Sequence, residues 1–308
     1  MAKTSNKITI VIPTLNRGKV LVDTINYLLD LELQAHSIFV IDQTQTYPQN
    51  IESELQKFSN NSAINWVRLS QPSVVMAMNT GLKLSQTDYV LFLDDDIKPK
   101  EGLIENYEAF LSTQCITENK IGIVAGRVIQ PWNNPKGPDI DTSFSFNSRK
   151  NWIAPHFIGA NVLINRLEAI KLGGFDENFV GTAHDYEREF SDRVLNSNLA
   201  ITYCGNAALH HLKETDGGIR TYGHFLKTIK PHHAVGAYYY ILRSTRVTNK
   251  TLSILKRLQQ RIATKTHLKQ PWWIPATLVG DILGIIWAIK LYCSGAKLIS
   301  ENHLKNGS

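Results

Sequence analysis

Three consecutive carboxylates, Asp94, Asp95 and Asp96, follow directly on the apolar run 89–93. Carboxylates held side by side repel one another, so such a cluster needs a compensating cation. Hard oxygen ligands suit magnesium or manganese. An ion shared between protein and a diphosphate would neutralise the charge developing on a phosphate leaving group. A solvated acidic turn is the plain alternative, and the position at the end of a strand-like apolar run argues against it. Other polar groups are placed in the same way. Pro13, Thr14 and Arg17 close the β-branched run 8–12, and Asp42 closes the run 38–41.

Those groups need elements to hold them. The runs 8–12, 38–41, 66–69 and 89–93 read as strands. Leu21, Ile25, Leu28 and Leu29 recur at helical spacing, and 74–84 reads as a helix. The alternation predicts an α/β fold with a mostly parallel, Rossmann-like sheet and flanking helices. In open sheets of this kind ligands bind beyond the carboxyl ends of the strands. The polar groups therefore converge on one edge. Farther on, 121–128, 157–164 and 200–203 read as strands and 185–196 as a helix, with a long Pro/Asn/Gly-rich loop over 130–155. Loops of that length tend to be functional.

Several motifs occur in a fixed order: Val-Ile-Pro-Thr-Leu-Asn-Arg (11–17), Asn79-Thr80-Gly81, Leu-Phe-Leu-Asp-Asp-Asp (91–96), Gly159-Ala160-Asn161, and Gly173-Gly174-Phe175-Asp176-Glu177. Together, over about residues 8–211, they resemble the family 2 glycosyltransferases. The resemblance implies a GT-A fold in a catalytic domain over 1–220. It implies an inverting, metal-dependent transfer of a hexosyl or deoxyhexosyl group. The donor would be a nucleotide-diphosphate sugar, and the acceptor a hydroxyl of a glycan, lipid-linked or polysaccharide acceptor of cell-envelope assembly. On this chain it implies that Pro13, Thr14, Arg17, Asp42, Asn79, Asp94 and Asp95 hold the donor. Asp96, with Asp94 and His211, would ligate manganese or magnesium. A loop over 216–220 would close on the diphosphate and bring Arg220 to it.

The resemblance also sets a register for the base. The catalytic acid of the family stands six residues before an Arg on one helix, and the metal-binding His eighteen after it. Arg193 then selects Glu187 and His211. Asp185 is the alternative base, if His184-Asp185 is read as the acidic motif. Two residues apart on a helix, the two carboxylates face different ways, so only one can serve one proton. The chain departs from the family twice. Met78 stands where a basic residue is common, and Tyr186-Glu187 stands where a Glu-Asp pair is usual. A catalytically inactive binding protein of the same fold is therefore a competing class. A sugar nucleotidyltransferase is another, but it would want a Gly-rich cationic loop after the first strand, and 13–18 holds one Gly.

Charge is unevenly spread along the 308 residues. Residues 1–211 carry a net −5 and residues 212–308 a net +11, which together make the +6 of the whole chain. Zinc-finger spacing, RNA-binding signatures and heptads are absent from the sequence, so nucleic acid is not the expected partner. The expected partner is an anionic membrane surface, reached through a basic, apolar helical extension over 221–308. Lys256, Arg257, Arg261, Lys265 and Lys269 precede the apolar run 271–289, which contains Trp272, Trp273 and Trp287. Asp281 lies near the middle of that run, and a central Asp costs about 2.5–3.5 kcal/mol on insertion scales. A helix lying in the interface is thus favoured over a span, and a helix packed internally is the alternative. Cys115, Cys204 and Cys293 form no C-x-x-C pair and residues 1–7 carry no signal-peptide pattern. Both fit a cytoplasmic protein, peripheral at the inner face of the membrane.

Overall fold

The computed structural model describes residues 3–113, 118–133, 144–218 and 222–300. A two-residue β1 (Lys3–Thr4) leads into β2 (Ile8–Thr14), α1 (Lys19–Leu29), a short β3 (Leu33–Gln34), β4 (Ser37–Asp42), α2 (Gln49–Asn60), β5 (Asn65–Arg68), α3 (Val74–Leu84) and β6 (Tyr89–Leu93). Strands β5, β4, β2 and β6 lie side by side and all parallel, with Thr14 opposite Asp42. Their carboxyl ends therefore share one edge, as the alternation of strands and helices requires. β2 is buried on both faces, as a central parallel strand should be. Ile8, Ile10 and Ile12 point into one core with α1, while Val11 points into the other with α3.

The second half turns the sheet into a mixed one. β7 (Ile97–Pro99), α4 (Leu103–Thr113), β8 (Ile121–Ile129), β9 (Trp152–Ile153), β10 (Asn161–Asn165), α5 (Arg166–Lys171), α6 (Tyr186–Asn196) and β11 (Ala200–His211) follow. β10 inserts antiparallel between β6 and β8, and β7 and β9 both run antiparallel to β11. The parallel region is thus confined to the first strands and the β8–β11 pair. Three boundaries differ from the sequence reading. The strand expected from 157 begins at Asn161, because Ile158, Gly159 and Ala160 instead form a wall of the cleft. The strand expected over 200–203 runs on to His211 across a register shift between Cys204 and Ala208. Asn161 fills that shift, its Nδ2 donating to the Ala207 carbonyl at 2.9 Å. Within the loop expected over 130–155, Trp152–Ile153 pairs with β11.

Beyond residue 221 come α7 (Val235–Arg243), α8 (Lys250–Ile262), α9 (Lys265–Lys269) and α10 (Ile274–Cys293). α7 carries Tyr238 and Tyr239 into the core that also contains Phe175 and Phe190. α10 packs on the start of α7 through Gly284 and on the segment before it through Gly280, where an added Cβ would meet the Ala234 Cβ at 2.7 Å and the Thr228 carbonyl at 2.9 Å. Asp281 is buried between them. Tyr238 donates its hydroxyl to Asp281 Oδ1 at 2.8 Å, and Arg261 Nε donates to Oδ2 at 3.0 Å. This corrects the reading of Arg261 as a lipid-facing cation: it neutralises the one acid that would otherwise be stranded in an apolar helix. The chain then returns to the catalytic half. Lys297 N donates to Asp176 Oδ1 at 2.9 Å and Ile299 N to the Gly173 carbonyl at 2.7 Å.

Candidate active site

The acidic triplet leaves β6 and is fixed from three sides. Thr24 on α1 donates its hydroxyl to the Asp95 carbonyl at 2.9 Å. Arg17, from the loop after β2, donates Nε to Asp95 Oδ1 at 2.9 Å and sits 3.4 Å from Asp96 Oδ2. Antiparallel pairing of β7 with the end of β11 puts His211 opposite Ile97, which brings the imidazole beside Asp96. His211 Nε2 lies 3.0 Å from Asp96 Oδ1 and 3.4 Å from Asp94 Oδ2. One ligand atom each from Asp94, Asp96 and His211 falls within 4.8 Å of the others.

This group fits a divalent cation on its own chemistry. Asp96 Oδ1 is buried with His211 Nε2 beside it at 3.0 Å, and the buried His211 Nδ1 makes no hydrogen bond among the described residues. Two carboxylates and an imidazole suit manganese-like ions. Burial alone would push Asp96 up, but the His211 imidazole and the Arg17 guanidinium hold its carboxyl below the usual range. Burial raises Asp95 to about 7 against the opposing pull of Arg17. Asp94 is the more exposed end of the group, with its side chain 43% accessible.

A cleft of about 490 Å³ opens over this cluster. Pro13, Thr14, Arg17, Asp94, Asp95 and His211 line it together with Gly159, Tyr186 and Glu187. Gly159 permits that approach: a Cβ there would lie 2.2 Å from the Tyr186 hydroxyl. Glu187 is the second residue of α6. Its carboxyl is raised to about 8, chiefly by burial and further by the charges of Asp185 and Asp94. Asp185 stands apart. It occupies the left-handed region at φ 69° as the residue before α6, and it lines a neighbouring cavity instead. His184 Nδ1 and Arg188 Nη1 lie 3.1 and 3.5 Å from its carboxylate. The cleft therefore receives one carboxylate from this helix, the one selected by the register of Arg193.

Two residues expected to hold the donor are committed elsewhere. Asp42 is fully buried, and its oxygens accept from Trp66 Nε1 at 2.9 Å, Thr44 N at 2.8 Å and the Tyr47 hydroxyl at 3.2 Å. It fastens β4 to β5 and to the following loop. Asn79 is also fully buried and bridges α3 to the Gly-Gly-Phe segment, giving Nδ2 to the Phe175 carbonyl and receiving Phe175 N, both at 2.8 Å. Neither lines the cleft, and each ties together elements beside it. The loop after β11 lies across the site. Gly218 N donates to the Leu15 carbonyl at 2.8 Å, and Arg17 Nη1 donates to the Asp216 carbonyl. Gly217 sits 2.3 Å, as an imagined Cβ, from the Asn16 carbonyl, so only glycine fits. Arg220 lies outside the described residues. Lys213 and Tyr222 line the cleft and were not singled out in the sequence. Lys213 follows the end of β11 in the left-handed region at φ 59°, so no strand periodicity marks it in the sequence.

Comparison with known proteins agrees with this geometry. The model of glycosyl transferase family 2 matches residues 9–167. The pre-mycofactocin glycosyltransferase of Mycobacterium tuberculosis is 26% identical over 179 residues, 55% of this chain and 36% of that protein. The poly(ribitol-phosphate) beta-N-acetylglucosaminyltransferase TarP of Staphylococcus aureus is 26% identical over 150 residues, 46% of each chain. The chain thus spans less than half the length of the curated relatives it matches. In three dimensions it resembles S. aureus TarS in complex with UDP-GlcNAc (TM-score 0.55, 14% identity, covering 94% of this chain and 92% of the other). It also resembles the mannosyltransferase PcManGT of Pyrobaculum calidifontis in complex with GDP-Man and Mn2+ (TM-score 0.53, 14% identity, covering 94% and 79%). With a family model spanning half of its length and a GT-A fold throughout, the chain belongs to glycosyl transferase family 2.

Proposed function

We propose that the chain is an inverting glycosyltransferase that moves a hexosyl or deoxyhexosyl group from a nucleotide-diphosphate sugar to an acceptor hydroxyl. The observation that supports this most is the convergence on one cleft of the Asp94–Asp96–His211 group and Glu187. A metal side and a single base side are what an in-line displacement needs. Manganese or magnesium held by Asp96, Asp94 and His211 would supply electrostatic stabilisation of the leaving diphosphate. Thr14, Arg17 and Lys213 border that side and would orient the donor. Glu187 would take the proton of the acceptor hydroxyl as it attacks, and the segment from Ile158 to Ala160 would bound the acceptor. Residues 1–220 would form the catalytic unit, with 221–308 as its extension. Solved relatives bind UDP-GlcNAc and GDP-Man, so both nucleotide classes belong in a donor screen. The test is thermal shift with UDP- and GDP-sugars plus manganese. A donor should raise the melting temperature only with the metal. Stabilisation by no nucleotide sugar, or equally well in chelator, would sink the reading.

We further propose that the extension lies on an anionic membrane surface. α10, with the turn before it, is long and apolar enough to cross a membrane, yet 28% of its apolar window is buried. One face is closed by the Asp281–Arg261–Tyr238 contacts, while Val279, Ile282, Leu283, Ile286 and Ile289 stay exposed on the other. Trp272 is 67% exposed, and Lys265, Lys269 and Lys290 flank the patch. Aromatic residues and lysines at the edge of an apolar stripe suit the lipid interface. Flotation with phosphatidylglycerol vesicles should carry the protein upward, and Ile282→Asp with Ile286→Asp should leave it at the bottom. Equal behaviour of the two proteins would rule membrane docking out.

A further inference from the structure

Behind α6 lies a second cavity, of about 470 Å³, walled by α6, α7 and α8. The stripe of α6 that faces it carries Asp185, Arg188 and Asp192, whereas Glu187 faces the donor cleft. Opposite, α8 supplies Lys256 and Arg257, and the turn after α7 supplies Arg246. Four cations thus meet two carboxylates, and both carboxylates already have donors. Asp192 Oδ2 accepts from the Ser244 hydroxyl at 2.5 Å and from the Tyr240 hydroxyl at 3.2 Å, and Oδ1 lies 3.5 Å from Arg246. Asp185 is held by His184 and Arg188. Among the described residues, no carboxylate lies within 4.0 Å of Lys256 or Arg257, and Arg257 Nε is buried without a hydrogen bond.

The cavity is also joined to the site of chemistry. A third depression, of about 600 Å³, shares Thr182 with the donor cleft and shares Arg257 and Gln260 with the basic cavity. Shared wall residues thus set the three side by side around the N-terminal end of α6, as a trough with Glu187 in the wall of the donor cleft. A neutral sugar would be met by carboxylates and amides. This end instead presents guanidinium and ammonium groups converging in a concavity, the arrangement that binds phosphate oxygens.

We propose that this cavity is an anion subsite that takes a phosphate-bearing part of the acceptor. It holds the acceptor at a distance while its hydroxyl lies along the trough toward Glu187. The assignment of acceptor rests on the glycosyltransferase reading of the cleft; the anion site itself does not. The probe is inorganic pyrophosphate, titrated calorimetrically into the full chain in excess chelator, so that metal-bound diphosphate in the cleft does not contribute. Wild type should bind saturably, more weakly as salt rises. The double variant Lys256→Gln, Arg257→Gln, with an unchanged melting temperature as folding control, should lose affinity by about tenfold or more, as expected when two charged contacts are removed. Asp96→Asn should bind pyrophosphate as wild type does, while losing manganese-dependent nucleotide binding. Loss of the nucleotide arm alone in wild type would remove the enzyme reading and leave the anion site standing. The same pair on phosphatidylcholine vesicles with and without phosphatidic acid identifies the source. Loss of the phosphatidic acid effect assigns a lipid headgroup, and loss confined to pyrophosphate assigns a free anion. Pyrophosphate affinity that is absent in wild type, or equal in the double variant, overturns the proposal.

Discussion

Replacing Glu187 by Gln should stabilise the protein while disabling it. In the metal-free protein the folded carboxyl titrates at about 8 against an ordinary 4.5, chiefly because it is desolvated in the cleft wall. A raised carboxyl stabilises the fold fully below the unfolded value. That contribution is lost as pH climbs from 4.5 towards 8. At pH 7 the linkage amounts to about 3 kcal/mol, and water in the cleft reduces what is observed to about 1–3 kcal/mol. Glu187→Gln removes that titration, so its urea midpoint in chelator should exceed that of wild type at pH 7–8 and should slope less over that range, where Asp95, raised to about 7, still titrates. Turnover should fall by roughly 10²–10⁴-fold, the usual cost of losing a positioned base. Asp185→Asn should behave in the opposite sense. Burial pushes Asp185 up, but His184 and Arg188 outweigh it and hold the carboxyl low. Its contribution is therefore present at neutral pH and lost in acid, so the variant should be less stable at neutral pH. Asn tolerates the left-handed backbone there, which keeps strain out of the comparison. Near-normal turnover in Glu187→Gln with loss in Asp185→Asn would refute the assignment of the base. A Glu187→Gln protein that is no more stable, with the same pH slope as wild type, would refute the desolvation argument.

Turnover of wild type should rise with pH as Glu187 ionises. Its midpoint should fall below 8 with manganese bound, since the Asp94 charge is one of the groups that raise Glu187; turnover that falls as pH rises through that range would contradict a general base. Asp96→Ala should cost on the order of 3 kcal/mol or more in kcat/KM, and full activity in excess chelator would exclude a metal role. Arg261→Met leaves Asp281 buried without its cation and should cost about 3–5 kcal/mol by denaturant melts, much of it restored in the double variant with Asp281→Leu. Gly81→Ala should cost about 1–3 kcal/mol, because the new methyl would meet Val11 Cγ1 at 2.4 Å; calorimetry reads it directly.

The first half of the fold was legible because each strand is a short apolar run ending in a polar group, and parallel pairing leaves few other arrangements. The second half was not. Antiparallel insertion of β10 depends on Asn161 reaching β11, and nothing in local periodicity announces a contact of that kind. At the site, Asp96 and His211 were readable from type and register, and the His211–Ile97 pairing shows how the chain brings them together. Asp42 and Asn79 have the right residue types for ligand contacts, and each also carries hydrogen bonds to a residue distant in sequence, Trp66 and Phe175. Arg261 was misread for the complementary reason: its partner, Asp281, lies twenty residues along on another helix.

The clasp that joins Lys297 and Ile299 to the Gly173–Asp176 segment also orders events during synthesis. Asp176 waits 121 residues for its Lys297 partner. Until that stretch leaves the ribosome, the segment that buttresses Asn79 and α6 lacks its final support. The parallel half of the sheet can form early, but the Gly173–Asp176 segment is clasped last. If the extension rests on lipid, a nascent chain would meet the membrane and complete its active site at nearly the same moment. Few unfinished molecules would then be free to consume donor in solution.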